Sequence, residues 1–350
     1  MLFMKNREIV GIDIGSSSVK LVQLSEQKGT YTLKNAGILP LPSDAIVDNS
    51  LMDTTSIVET IRDLVKSLGA KAVDASCSIS GNSVIIRKIS LPAMTQEELE
   101  DQIAWEAEQY IPFDINDVNL DFEILDADLS ASGKMTVLLV ASKKEIINEY
   151  VSVFTEAGLK LVVVDVDSFA VQNIFELNYT PTENEVVALI NIGASIMNLN
   201  VVKDGISLFT RDVQMGGNLY TEEIQRQFAV SSQDAEQIKI TYDYPDKARL
   251  SEIMSRVNET LSLEINRSLD FYNSTAEDQK IAKVYLSGGC SKVVNLSEVV
   301  SQRLGMPVEL LNPLKQIVCN EKEFDPEYLQ EISPFIAVAA GLAMRRLGDK

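Results

Sequence analysis

Three successive stretches between residues 8 and 39 alternate apolar and polar positions with a period of two, and the pattern predicts three β-strands. The first is rich in β-branched residues and ends at Asp13. A turn of Gly15, Ser16, Ser17 and Ser18 follows, and the chain resumes as Val19, Leu21 and Leu24. Gly29 introduces the third stretch, Tyr31 to Leu33. Pro40-Leu41-Pro42-Ser43 interrupts the strands. Ile57, Ile61, Leu64, Val65 and Leu68 then recur at helical spacing and stop at Gly69, a residue suited to a helix C-terminus. Ala72 to Ile79 predicts another strand. Strand, strand, strand, helix, strand opens an α/β sandwich.

The texture changes at Gly81. Ser83 to Ile89 predicts a strand broken by Leu91-Pro92, and Thr95-Gln96-Glu97-Glu98 has the acceptor and early carboxylates of a helix start. That helix runs through Trp105 to Tyr110 and stops at Ile111-Pro112-Phe113, because the residue before proline avoids helical backbone. Strands over Asn119 to Leu125 and Lys134 to Ala141 follow, then a helix with Ile146, Tyr150, Val153 and Phe154, capped at Gly158. The block predicts a small inserted α+β subdomain. Leu161 to Asp165 returns to the main sheet, and a helix over Phe169, Val171, Ile174 and Leu177 leads to Pro181.

The second half then repeats the first. Ala188-Leu189-Ile190-Asn191-Ile192-Gly193-Ala194-Ser195 matches Gly11-Ile12-Asp13-Ile14-Gly15-Ser16 in chemical type. An alternating strand follows at Met197 to Val202, and Lys203-Asp204-Gly205 introduces a third. Two similar hairpins half a chain apart predict two facing subdomains of one bilobal α/β fold. Met215-Gly216-Gly217-Asn218 opens helices, and a long helix covers about Leu250 to Tyr272. Lys283 to Gly289 predicts a strand entering a glycine pair, a helix follows from about Val293 to Leu304, and Val308 begins a short strand. The Ala- and Gly-rich helix from Phe335 can approach another helix closely. The expected organisation is a first lobe of residues 1–81 and 161–181 with helix 335–347 packed back at the hinge, and an insertion at 82–160. A second lobe spans 182–216 and 276–334, with a helical capping subdomain at 217–275.

Composition narrows the chemistry. The 31 basic and 51 acidic residues leave a net charge of −20, which disfavours a nucleic-acid groove or adsorption to anionic lipid. There is no histidine, so imidazole catalysis and ligation are excluded. Cys77, Cys290 and Cys319 are scattered, which predicts reduced thiols in a cytosolic protein. The N-terminal run Met1 to Arg7 is short for a signal peptide, and no uninterrupted apolar stretch reaches membrane-spanning length.

Each hairpin tip presents backbone N–H groups and hydroxyls. Beside the first, Asp13 can hold Mg²⁺ directly or through water, and Lys20 adds positive charge. One such turn alone is compatible with an ordinary hairpin; the duplication argues for one phosphate group gripped from both sides. Trp105, Tyr110, Ile111, Pro112 and Phe113 read either as core or as an aromatic-lined groove for a partner peptide. From the residues alone, Asp167 reads as a helix N-cap before Phe169.

The two turns, the Ser287-Gly288-Gly289 turn and the junction helices resemble the actin-like ATPases, whose fold is a pair of ribonuclease-H-like domains. The insertion within the first lobe resembles the bacterial division protein FtsA. The phrases Gly11 to Lys20, Glu108-Gln109-Tyr110-Ile111-Pro112-Phe113 and Leu199-Asn200-Val201-Val202 are similar to the PilM-type type IV pilus assembly proteins. The resemblance implies ATP and Mg²⁺ as cofactors. Asp13 would hold the metal, with Asn191 acting through water, while Gly15, Ser16, Ser17, Ser18 and Lys20 grip phosphate from one side and Gly193, Ala194 and Ser195 from the other. Gly216, Gly217, Gly288 and Gly289 would let the backbone approach the nucleotide, Glu236 and Lys239 would reach ribose and base, and Asp167 would orient attacking water.

The same resemblance implies a cytoplasmic scaffold that docks the N-terminal cytoplasmic peptide of a PilN-like inner-membrane protein on Trp105 to Phe113. It also implies recruitment to the inner face of the membrane through that partner, links to the pilus motor ATPases and platform, and self-association. Asn191 stands where actin-like hydrolases keep Asp, so weak or absent ATPase activity is expected. After Arg345-Arg346 only four residues remain, so no amphipathic membrane tail like that of FtsA is expected. The competing readings are a sugar-type kinase on the same fold and an FtsA-like filament-forming protein.

Overall fold

The computed structural model describes residues 9–128, 133–276 and 279–349; the N-terminal run Met1 to Arg7 lies outside them. Strands β1 (Val10–Ile14), β2 (Ser18–Gln27) and β3 (Thr30–Pro40) form the predicted meander, followed by a two-strand hairpin of β4 (Ile46–Val47) and β5 (Ser50–Leu51). Helix α1 (Thr54–Leu68) starts at Asp53, whose carboxylate accepts from the Ser56 N–H. It ends at Gly69, which takes the left-handed backbone that a side chain resists (φ +61°). Strand β6 (Asp74–Ile79) lies parallel to β1.

The insertion contains β7 (Ile85–Pro92), α2 (Gln96–Ala107), β8 (Val118–Asp128) and β9 (Lys134–Lys143), in a sheet of order β7-β9-β8. The predicted break at Leu91-Pro92 is not there: Pro92 closes β7, opposite Lys134. β7 is an edge strand, where a residue without an N–H is tolerated. Thr95 and Glu98 form the capping box that starts α2, which ends at Ala107, short of Tyr110. Leu99, Ile103, Ala107 and Ile111 pack on the sheet residues Val137 and Leu139. Helix α3 (Lys144–Glu156) places Tyr150, Val153 and Phe154 in the first-lobe core with Ile57 and Ile61, although the sequence pattern groups it with the insertion.

Strand β10 (Lys160–Val166) pairs with β6 and leads directly into α4 (Asp167–Asn178). The second lobe begins with β11 (Val186–Ile192), β12 (Met197–Lys203) and β13 (Ile206–Val213). Helices α5 (Asn218–Phe228), α6 (Ser232–Thr241) and α7 (Lys247–Thr275) follow, then β14 (Ile281–Ser287), α8 (Leu296–Leu304) and β15 (Val308–Leu310). A helix that the sequence pattern missed, α9 (Pro326–Ile332), starts at the Asp325 cap with proline in its first turn. The C-terminal helix is shorter than predicted: a 3₁₀ turn over Ser333–Ile336 precedes α10 (Ala337–Leu342).

The two main sheets have orders β3-β2-β1-β6-β10 and β13-β12-β11-β14-β15, the same antiparallel meander followed by two parallel strands. This is the duplicated, bilobal actin-like ATPase fold. Between the sheets, α4 and α10 share one apolar core with Val22, Leu33, Val187 and Leu189 from both lobes. Helix α10 can sit there because Gly341 faces the Ala170 backbone and Gly11 of β1 faces Ala339; a Cβ on Gly341 would lie 1.8 Å from the Ala170 carbonyl oxygen. Its end is held by Ser76, whose hydroxyl donates to Leu342 O at 2.7 Å, and by the Arg345–Asp165 ion pair at 3.4 Å. Beyond β15 the chain crosses back, and Val318 exchanges hydrogen bonds with Tyr31 O and Leu33 N at the outer edge of β3.

Candidate functional site

The β1–β2 and β11–β12 tips meet face to face. Ser195 Oγ donates to Ser16 Oγ at 2.8 Å, and both turns line one cavity of about 520 Å³ between the lobes. Gly15, Ser16, Ser17, Ser18, Gly193, Ala194 and Ser195 are all on its wall. Each turn has the same local closure: Gly15 N–H donates to Ser18 O (3.1 Å) and Gly193 N–H to Ile196 O (2.8 Å).

Register places equivalent pairs behind the two tips, Asp13 opposite Lys20 and Asn191 opposite Asn198. In the first lobe the pair is an ion pair of 3.2 Å, largely shielded from solvent. In the second it is a pair of carboxamides, Asn191 Nδ2 donating to Asn198 Oδ1 at 3.2 Å. The duplicated strands thus present a charged and a neutral version of one position to the same cavity.

Gly288 takes a left-handed backbone (φ +83°), and a Cβ there would lie 2.3 Å from Ile192 O, so β14 passes directly against the second tip. Gly217, Gly289, Glu236 and Lys239 also line the cavity. Lys239 Nζ lies 2.6 Å from Glu236 Oε2 and donates to Thr221 Oγ1 at 3.1 Å. Gly216 is the exception among the predicted residues. It packs behind the second tip, where a Cβ would meet Gly193 O at 2.5 Å, and it supports the turn without facing the cavity.

Asp167 is on the wall at the first turn of α4. It is not the N-cap: Val166 occupies that position, and the Asp167 carboxylate instead accepts from Ser78 Oγ at 2.6 Å. Burial, and then the neighbouring Asp13, push its pKa up to about 7, against the hydrogen bonds from Ser78 and Ser80 that favour the anion. Ser78, Ser80 and Asn49 line the same region and were missed from the sequence. The only signal for them was their place at the end of β6 and in the turn of the short β4–β5 hairpin, which assigns no role before the chain folds.

The predicted partner surface divides. Leu99, Ile103 and Ala107 form the buried face of α2, and Ile111 joins them, only 4% exposed, so it belongs to the core and is removed from the groove. Trp105 points the other way and is 71% exposed; Pro112 and Phe113 are exposed and Tyr110 half-buried beside it. Lys143 Nζ lies 4.7 Å from the Phe113 ring centre. Around Trp105, α2 carries Glu97, Glu98, Glu100, Asp101 and Glu106 and no basic residue. Cys77 and Cys290 are buried, and Cys319 is half-buried. Among the described residues no helix is long and apolar enough to cross a membrane.

Comparison with known proteins agrees with this architecture. A structure described as a PilM–PilN type IV pilus biogenesis complex superposes with a TM-score of 0.88 at 30% identity, covering 98% of this chain and 99% of that one. The ethanolamine utilization protein EutJ of Carboxydothermus hydrogenoformans shares the fold alone, with a TM-score of 0.60 at 16% identity over 96% of this chain and 89% of its own. The cell division protein FtsA of Bacillus subtilis (strain 168) is 24% identical over 276 residues, 71% of this chain, and the match spans 62% of FtsA. The family described as type IV pilus assembly protein PilM matches residues 11–347, the duplicated lobes and the insertion together. This chain belongs to the type IV pilus assembly protein PilM family.

Proposed function

We propose that the protein is a nucleotide-dependent scaffold of type IV pilus assembly, which takes MgATP between its lobes and docks the cytoplasmic N-terminal peptide of a PilN-like membrane protein on its insertion. The observation that carries the nucleotide site is the contact of two duplicated turns, Ser16 with Ser195, over a single cavity. Serine hydroxyls, the Lys20 amine and closely approaching glycine backbone suit a polyphosphate. Asp13 and Asn191 offer one carboxylate and one carboxamide from opposite tips, so a divalent ion would draw most of its oxygen ligands from phosphate and water. The metal would neutralise phosphate charge. Glu236 and Lys239 would hold the ribose side, and Asp167 would orient a water or accept its proton. Because Asn191 adds no charge, turnover is slow or absent.

The PilN reading rests on the similarity to the PilM–PilN complex together with the exposed Trp105 and Phe113. An acidic helix around an aromatic anchor fits a peptide that carries an apolar side chain flanked by basic ones. Docking would hold the protein at the cytoplasmic face of the membrane; motor ATPases, the platform and self-association are further contacts consistent with that position.

Calorimetric titration with MgATP, and separately with the cognate PilN N-terminal peptide, tests both sites. One saturable site for each ligand is expected. Absence of MgATP binding would remove the nucleotide site, and peptide binding that survives loss of the Trp105 side chain would remove the docking surface.

A further inference from the structure

One polar side chain per strand crosses the second sheet in register: Ser287 on β14, Asn191 on β11, Asn198 on β12 and Asp212 on β13. Each is bonded to the next. Ser287 Oγ donates to Asn191 Oδ1 (3.1 Å), Asn191 Nδ2 to Asn198 Oδ1 (3.2 Å), and Asn198 Nδ2 to Asp212 Oδ1 (2.8 Å). The row does not stop at the sheet edge. The other Asp212 oxygen accepts from the backbone N–H of Gly81, in the opposite lobe, at 2.5 Å.

Gly81 is the root of the insertion. It has φ +61°, and a Cβ there would meet Asn49 Nδ2 at 2.7 Å and the second-lobe side chains Ile196 and Gln214 at 3.0 and 3.2 Å, so the second lobe packs against this turn. Two residues on, Ser83 O accepts from Ser142 Oγ (2.8 Å) on β9, the central strand of the insertion sheet. The bonded path therefore runs from a cavity side chain, Asn191, to the root end of the central strand of the subdomain that bears Trp105.

We propose that this row couples the cavity to the docking surface: Asp212 holds the Gly81 turn only while the lobes are closed, so a ligand that closes them at Asn191 fixes the root of the insertion and tightens its grip on the peptide. The inference rests on the two ligand sites proposed above. Its physical requirement is a carboxylate at Asp212. Two donors, Asn198 Nδ2 and Gly81 N–H, converge on it from opposite sides, and a carboxamide accepts only one of them while turning its own NH₂ on the other. The first lobe lacks the counterpart, since Lys20 is followed across the sheet by Ile38.

The test is a thermodynamic cycle on the full chain: peptide affinity with and without MgATP, and MgATP affinity with and without peptide, for the parent and for Asp212→Asn. The parent is expected to bind peptide at least fivefold more tightly with MgATP, and MgATP more tightly with peptide by the same factor. In Asp212→Asn both binary affinities persist, the coupling falls below twofold, and the Gly81 amide exchanges hydrogen at least tenfold faster. Ser142→Ala, outside the cavity, is a second break with the same expected loss of coupling, and it decides the matter if Asp212→Asn fails to fold. Full coupling in these variants overturns the proposal. Binding of both ligands to the parent without coupling overturns it too, yet leaves the two sites standing. Failure of the parent to bind MgATP overturns the relay together with the nucleotide site.

Discussion

Replacing Gly341 by Ala sets two effects of opposite sign against each other. Alanine is the better helix former by about 1 kcal/mol in a helix interior, and Gly341, one residue from the end of α10, would gain at most that much. Here the added Cβ would lie 1.8 Å from Ala170 O, and contacts under 3.0 Å are essentially never tolerated, so α10 and α4 must part by more than 1 Å. Both obstacles are backbone, and the opposite side of α10 is closed by Gly11, whose own Cβ position is 2.2 Å from Ala339 O. The helix has no free direction in which to retreat. Overpacking of this kind costs about 1–3 kcal/mol and more where nothing yields, so Gly341→Ala should be destabilising by about 1–2 kcal/mol net of the propensity gain. The measurement is urea unfolding followed by far-UV circular dichroism, because the single tryptophan stands exposed on the insertion and reports little of the lobe junction. A lowered midpoint is expected, along with weaker MgATP binding, since Val338 of the same helix lines the cavity. An unchanged or raised midpoint would show that the junction is looser than described and would refute the reasoning.

Three further expectations follow from the site. Trp105→Ala should change stability by less than about 0.5 kcal/mol, as an exposed residue, and weaken peptide binding by about 1–3 kcal/mol as an interface anchor; calorimetry at two salt concentrations should also show binding falling with salt. Asn191→Asp should raise Mg²⁺-dependent phosphate release above the parent's slow rate, and fast release by the parent would contradict the assigned role of the carboxamide. Asp167 should make the nucleotide-free protein less stable as pH rises from about 4 to about 7, because the folded state, whose pKa is raised to about 7, holds the proton that the unfolded chain has already released. Asp167→Asn should therefore be stabilising at pH 8, by about 1–2 kcal/mol once contact with cleft water is allowed for, and neutral below pH 4; thermal unfolding across that range reads the sign directly.

Features set by neighbours along the chain were legible before the fold was known. The Thr95–Glu98 capping box, the Gly69 stop and the two hairpin turns are encoded within a few residues, and duplication of the turn implied facing lobes. Trp105 was legible in principle. It lies two residues from both Ile103 and Ala107, which puts it on the opposite face of α2. Tertiary context decided the rest. Pro92 stays in β7 because among the described residues no strand pairs on its outer side, and α9 is one short helix signalled only by Asp325-Pro326. Ile111 looks like groove material until the insertion sheet closes over it. Asp212 and Gly81 are 131 residues apart and acquire a relation only when one lobe meets the other.

The return of the chain to β3 through Val318 also constrains how the molecule can meet others. An open sheet edge is a template for adding a strand from a second copy. On the first lobe that template is occupied at Tyr31 and Leu33 by a segment of the second lobe. Addition of a strand at this end of β3 would first require the protein to let go of itself, because the Tyr31 and Leu33 backbone groups are already bonded to Val318.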